Sequence, residues 1–231
     1  MKNSLSCTNV SDFVFCPICG SFHTVKNGFT KTGKQQYRCK NCGKYFISSY
    51  SYHAYEKDLN EKIVILTKEG LGIRSTARIL KISPTTLLSK IVSIASAINQ
   101  PTIATGKTYE VDEIRSFVGN KDRLIWIVYA LQRQTREVVS FNVGSRTNKT
   151  LNVVLQTLQN AKAKRINTDG CKNYKYLINK RIHKVLRFGT NHIERNNLTI
   201  RTHLKRLSRR TICYTRSISL LFCVLKIYFW L

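Results

Sequence analysis

Tyr109-Glu-Val-Asp-Glu-Ile114 sets acidic residues among apolar ones with a period near two. A β-strand points successive side chains to opposite faces, so Glu110 and Asp112 share one face and Glu113 takes the other. The stretch opens a run of strands read at 109–118, 124–131 and 137–143. The last two are joined by the polar residues 132–136, a hairpin-length connection. A helix follows, capped by Thr147 or Asn148, with Leu151, Val154, Leu155 and Leu158 on one face. Next come a short strand, Ile166-Asn-Thr-Asp-Gly170, which ends at Asp169, and a helix-like stretch to Asn179. A long helix starts near Asn191. Three strands, helix, strand, helix predict a mixed-sheet α/β domain over residues 108–231.

Upstream the pattern changes twice. Gln100-Pro-Thr-Ile-Ala-Thr-Gly106 is small and polar with a proline, and reads as a linker over 99–107. Residues 56–98 read as helices. The first covers 59–69, with Ile63, Leu66 and Ile65 inward, and is stopped by Gly70 and Gly72. The second is Ile73-Arg-Ser-Thr-Ala-Arg-Ile-Leu80, with small Ala77 where a neighbour comes close. In Lys81-Ile-Ser-Pro84, Ser83 is suited to cap the next helix and Pro84 to open it. This is a helix-turn-helix pattern, with Thr85, Thr86, Ser89 and Lys90 of the third helix facing a DNA major groove. The plainer reading is a three-helix packing unit.

Residues 7–50 show no helical periodicity and read as a zinc ribbon. Cys16-Pro-Ile-Cys19 and Cys39-Lys-Asn-Cys42 are two C-x2-C pairs separated by 19 residues, each followed by glycine. Each tight turn presents two thiolates to a tetrahedral zinc, and Gly20 and Gly43 permit the positive φ such turns favour. His23 is a possible substitute ligand, but four cysteines complete the shell. Two disulfides or four free thiols are the other options; without a secretion signal, metal is preferred. Tyr37, Arg38, Lys40, Lys44, Tyr45 and Phe46 would form a small basic and aromatic nucleic-acid face.

The balance of charge names the class of partner. The 231 residues carry 39 Lys+Arg against 12 Asp+Glu, a formal net charge of +27. Such an excess implies a polyanion, nucleic acid ahead of a membrane surface. Hydrophobic residues make up 42%, which excludes wholesale disorder. Met1 to Ser11 lacks the apolar core of a signal peptide. The apolar run from Ser217 to Leu231 contains Lys226 and is shorter than the roughly 20 residues that span a bilayer. It reads as a core or dimer-interface helix in a cytoplasmic protein with no membrane partner.

The acids are unevenly spread. From Ser145 to Leu231 there are 19 Lys+Arg and two carboxylates, Asp169 and Glu194. A DNA-facing surface sheds acids because each repels phosphate, so the two that stay need a reason. Three carboxylates, Asp112, Asp169 and Glu194, would suit Mg²⁺ or Mn²⁺. Two such ions about 4 Å apart activate a nucleophile and stabilise a leaving oxygen in phosphoryl transfer. On the long helix from near Asn191, Glu194, Arg201 and Lys205 share one stripe, while Ile193, Ile200, Leu204 and Leu207 form the apolar one. Arg201 and Lys205 would then hold a nucleic-acid backbone. Singly, each acid has a plainer use: Asn191-x-x-Glu194 has the form of a capping box, Asp169-Gly170 is an ordinary turn, and Asp112 could be a surface strand residue.

These residues resemble the transposases of the insertion-sequence-one (IS-one) family. The resemblance lies in Glu110-Val-Asp-Glu113 with Val118-Gly-Asn-Lys121, Trp126 and Thr168-Asp-Gly170. It continues in Ile193-Glu-Arg-Asn-Asn-Leu198, in Leu204-x-Arg-Leu-x-Arg-x-Thr211, and in Arg216-Ser217. It implies an RNase H-like catalytic domain with Asp112, Asp169 and Glu194 as a DDE triad holding Mg²⁺ or Mn²⁺. Many members of that family carry the two parts in separate reading frames, whereas here they are continuous.

The function expected is a DNA transposase that binds terminal inverted repeats and performs metal-dependent strand cleavage and transfer. Its partners would be double-stranded DNA, as element ends and target, and a second copy in a homodimer or larger assembly. A zinc-ribbon transcription regulator with a non-catalytic dimerisation domain explains the first 100 residues equally well but leaves Asp169 and Glu194 without a use. A structure-specific nuclease on the same fold would need no strand transfer.

Overall fold

The computed structural model describes residues 14–48, 53–186 and 188–231. Residues 7–13 and 49–50 of the ribbon, and the stretch read for a targeting signal, lie outside the described residues. The chain divides into two compact units, one up to His53 and one from Ala54 to Leu231.

In the first unit, strands β1 (Thr24–Phe29), β2 (Gln35–Cys39) and β3 (Tyr45–Ile47) form an antiparallel sheet. Gly20 and Gly43 take the predicted positive φ, 70° and 71°. Cys16, Cys39 and Phe46 make its small core. Phe46 therefore leaves the surface face expected for it and stacks on Tyr37, while Arg38, Lys40, Lys44 and Tyr45 stay exposed.

The second unit begins with three helices, α1 (Leu59–Lys68), α2 (Ile73–Ile79) and α3 (Pro84–Ala97). Ser83 caps α3, its hydroxyl accepting from the Thr86 N–H at 3.0 Å, and Pro84 takes the first turn as expected. Leu59, Ile63, Ala77, Leu87, Ile91 and Ala95 close the core. Ile65, read as inward, is 58% exposed: α1 buries one stripe through Leu59, Ile63 and Thr67, and Ile65 lies off it. Gly70 has φ +71°, and a Cβ there would stand 1.8 Å from the His203 carbonyl oxygen, so a helix end docks directly on this glycine.

The segment read as a linker is fastened down. Gln100 Nε2 donates to the Val139 carbonyl at 3.1 Å, Ile103 packs on the sheet core, and Tyr109 donates to the Ala104 carbonyl. Composition signals a break in regular structure, and these contacts hold that break in place.

The remainder is a five-stranded sheet: β4 (Thr108–Phe117), β5 (Leu124–Gln132), β6 (Val138–Gly144), β7 (Arg165–Asn167) and β8 (His183–Lys184). The spatial order is β6-β5-β4-β7-β8, antiparallel across the first three and parallel from β4 to β7 to β8. Helix α4 (Asn148–Asn160), capped by Thr147, crosses from β6 to β7. Its Leu151, Val154, Leu155 and Leu158 are all buried against Tyr109, Val111, Val128 and Ile166. Short α5 (Lys172–Leu177) joins that side through Tyr174.

Helix α6 (Asn191–His203) covers the other face. It ends at His203, and Lys205–Leu207 continues as one 3-10 turn, so Lys205 is delivered by a turn rather than by the helix. Ile193, Ile200, Leu204 and Leu207 are buried as predicted.

The apolar terminus is helix α7 (Ile218–Trp230), a core helix with two buried sides. Leu221 and Leu225 enter the sheet core with Ile114, Ile127 and Tyr129. Val224 and Ile227 enter the three-helix core with Leu59, Ile63 and Leu87. Burying one such side chain contributes about 1.5–3 kcal/mol, so α7 holds both layers together. Among the described residues no helix is long and apolar enough to cross a membrane.

Candidate active site

Strand β4 supplies the first carboxylates, and its alternation sorts them as expected. Glu110 and Asp112 face α6; Glu113 faces α5, where it pairs with Arg146 at 2.9 Å and accepts from the Tyr174 hydroxyl at 3.2 Å. Asp112 is held at both oxygens. The Glu113 N–H donates to Oδ1 at 2.7 Å, and Asn197 Nδ2, from α6, donates to Oδ2 at 2.6 Å. Asn197 is oriented in turn by the Tyr129 hydroxyl, 2.7 Å from its Oδ1.

Burial pushes Asp112 up to about 6; the two hydrogen bonds oppose this, and the charges of Asp169 and Glu113 add to it. Asp169 follows β7, the strand parallel to β4, and its Oδ1 accepts from the Cys171 N–H at 3.1 Å, a turn that fixes the carboxylate. Behind it, the Thr168 hydroxyl lies 2.7 Å from His183 Nε2.

Glu194 is exposed on the first turn of α6. The capping box read at Asn191-x-x-Glu194 does not form: the N-cap position falls on Thr190, which makes no side-chain bond to the helix N–H groups, and its hydroxyl instead donates to Glu194 Oε1 at 2.7 Å. Glu194 lines an open cleft of about 910 Å³ with Glu113, Asn197, Arg201, Lys205 and Arg209. Arg201 is largely committed to structure, since its guanidinium donates to the carbonyls of Leu207 and Arg115 at 2.7 and 3.2 Å. Thr85 and Ser89 are exposed on α3, with Thr86 and Lys90 half-buried.

Sequence reasoning missed Glu110 as a working residue. It is fully buried, yet its carboxylate accepts from the Ile193 N–H at 3.0 Å, lies 2.8 Å from His192 Nδ1 and pairs with Arg133 at 3.1 Å. An anion at a helix N-terminus satisfies orphan N–H groups and the helix dipole. Glu110 thus docks the first turn of α6, which carries Glu194, on the strand that carries Asp112. The signal available was an acid two residues before Asp112 on the same strand face.

The second cluster is the cysteine site. The Cys16 and Cys42 sulfurs lie 3.7 Å apart and those of Cys19 and Cys39 3.6 Å apart. A tetrahedral zinc with Zn–S of about 2.3 Å sets its sulfurs roughly 3.8 Å apart. The Cys42 N–H, with that of Asn41, favours the Cys39 thiolate and lowers its pKa to about 6. Among the described residues this is the group of three or more metal-ligating side chains whose donor atoms all lie within 4.8 Å. Asp112, Asp169 and Glu194 are not drawn together that tightly.

A five-stranded mixed sheet of this order, antiparallel across β6-β5-β4 and parallel from β4 to β7 to β8, with helices on both faces, is the RNase H-like fold. Residues 107–229 match the IS1 transposase family. The insertion element iso-IS1n protein InsB of Shigella dysenteriae is 39% identical over 111 residues, 48% of this chain and 85% of that protein. The insertion element IS1 protein InsB of Shigella flexneri is 36% identical over 48% of this chain and 85% of its own length. Among solved structures, the magnesium complex of the HTLV-2 integrase catalytic core is 14% identical, with a TM-score of 0.35 over 55% of this chain and 86% of that one. A chain of the simian T-cell lymphotropic virus intasome in complex with a PP2A regulatory subunit is also 14% identical, with a TM-score of 0.37 over 71% and 66%. The chain belongs to the IS1 transposase family and is a DNA transposase.

Asp112 gives the site a pH signature. Its folded pKa is raised from 3.8 to about 6, so its contribution to stability is full below about pH 4 and is lost as pH rises through 6. A divalent cation needs the ionised carboxylate and would offset that loss. Mg²⁺ is therefore expected to raise the melting temperature at pH 7.5 and to have little effect at pH 5. Calorimetry at the two pH values checks this; an equal Mg²⁺ effect at both would exclude Asp112 as a ligand.

Proposed function

We propose that this transposase binds the terminal inverted repeats of its element with residues 7–50 and 56–98, and cuts and joins strands with residues 108–231. The observations that support the reading are the match of residues 107–229 to this family and the placement of the three acids: Asp112 on β4, Asp169 just after the parallel strand β7, and Glu194 on the first turn of α6, the helix whose Asn197 holds Asp112. Thr85, Thr86, Ser89 and Lys90 would contact the major groove. Lys205 and Arg209 would hold backbone phosphates beside Glu194, with Arg201 bracing the cleft.

The carboxylates fit Mg²⁺ or Mn²⁺: they are hard oxygen donors, and the burial of Asp112 leaves its ionised form in need of a cation. Bound there, the metal would supply an activated water and a stabilised leaving oxygen. Hydrolysis of one phosphodiester then leaves a 3′-hydroxyl, and attack of that hydroxyl on a target phosphodiester forms the new bond as the target strand's own 3′-oxygen departs. The residues of the chain orient these groups. Asn197 holds the Asp112 carboxylate, the Asp169 turn fixes the second, and Glu110 seats the helix that bears the third. Joining two ends requires two sites, so the working form is a homodimer or larger assembly on DNA, in the cytoplasm.

The test is a strand-cleavage and joining assay on the DNA flanking the element's own gene, with and without Mg²⁺. Joined product that requires the metal supports the reading. Cleavage without joining identifies a nuclease, and repeat binding with neither identifies a regulator.

The ribbon supplies its own prediction. Zinc binding in small closed cysteine sites is worth on the order of 10 kcal/mol, most of the folding energy of such a unit. Cys39→Ser is expected to lower bound zinc below one ion per chain and to abolish amide-exchange protection in β1–β3. Protection in β4–β6 is expected to stay, because the clusters that pack on those strands are built from residues of the second unit. Mass spectrometry and hydrogen exchange read both.

A further inference from the structure

Three contacts tie the helix-turn-helix to the catalytic layer. The first is α7, whose Val224 and Ile227 sit in the three-helix core while Leu221 and Leu225 sit in the sheet core. Trp230 closes the end, packing on both cores and donating from Nε1 to the Val138 carbonyl at 2.8 Å. The second is Gly70, where the end of α1 meets the His203 carbonyl with no room for a Cβ. His203 itself lies 2.8 Å from the Tyr228 hydroxyl, so α1, α6 and α7 converge at one point. The third is the segment after α3, pinned through Gln100 and Ile103.

Close-packed apolar contacts of this kind do not slide continuously; they hold one arrangement or come apart. The helix that reads DNA and the helix that bears Glu194 therefore move as one body. We propose that α7, with the Gly70–His203 contact, fixes how far the cut bond lies from the bound sequence, so that the position of cleavage is set by this joint and not by the covalent connection at 99–107. The proposal rests on the recognition and cleavage roles assigned above and adds the element that relates them. Leu221, Val224, Leu225 and Ile227 act here as positioning residues, since none touches DNA or the reacting atoms.

The experiment inserts two glycines between Asn99 and Gln100 in the full-length protein. Cleavage of an end-bearing duplex is mapped to single-nucleotide resolution. The expected product is cut at the same nucleotide as with the unmodified chain, at a rate within about threefold. A cut displaced or spread by the insertion would overturn the proposal. A second readout does not depend on cleavage: spin labels on unnatural residues at exposed Ser93 and Gln156 report the distance between α3 and α4. One narrow distribution, unchanged by the insertion, is expected; a broad one in the unmodified chain would overturn the proposal. If the protein binds ends but cuts nothing, the catalytic reading fails while the label distances still decide the joint.

Discussion

Asp112→Asn, Asp169→Asn and Glu194→Gln are each expected to lower strand joining by about three orders of magnitude with end binding unchanged. The figure corresponds to roughly 4 kcal/mol of lost transition-state stabilisation, the scale of metal-assisted charge stabilisation at a reacting phosphate. The three do not act alike on the protein. Asp112 is half-buried and hydrogen-bonded at both oxygens, so its amide variant also disturbs Asn197 and, through it, Tyr129. Glu194 is exposed, with one bond to Thr190, so its variant removes charge with little structural cost. Gel-shift and joining assays run in parallel separate binding from chemistry. Retained joining in the Glu194→Gln protein would remove that residue from the site.

The second large effect belongs to a residue that need touch no DNA. Glu110→Ala is expected to destabilise the second unit by about 3–5 kcal/mol, because it removes the carboxylate that pairs with Arg133 and His192 and leaves the start of α6 without its anion. In a domain of this size that lowers the melting point by on the order of 10 °C. Glu110→Gln keeps an oxygen for the Ile193 N–H and is expected to recover part of the loss. A melting point within two degrees of the parent for Glu110→Ala would show that α6 docks on its apolar face alone.

How much of this was legible in the sequence depends on the distance over which the signal travels. Cysteine spacing, the Ser83-Pro84 cap and the apolar period of α4 are local rules, and each appears in the structure as read. The period of two in β4 sorted Glu110 and Asp112 from Glu113 correctly. It did not say which acid is structural, because the partners of Glu110 lie 23 and 82 residues away, at Arg133 and His192. A basic neighbourhood hides the core position of Phe46 in so small a sheet. Helix α7 carries apolar residues on both sides, so no polar face exists from which to infer what it covers. In the segment read as a linker, proline and small residues mark an irregular backbone, but say nothing about whether side chains such as Ile103 anchor it.

The tight seat of Gly70 against His203 has a genetic consequence. Every other amino acid brings a Cβ into the space held by the His203 carbonyl oxygen, and does so at a φ of +71° that L side chains rarely adopt. A single missense change in that one codon is thus expected to silence a copy of the element while leaving its repeats, its DNA-contacting side chains and its carboxylates intact. Mobile DNA would then carry, far from any reacting group, a second class of inactivating lesion that inspection of the acidic residues alone passes as sound.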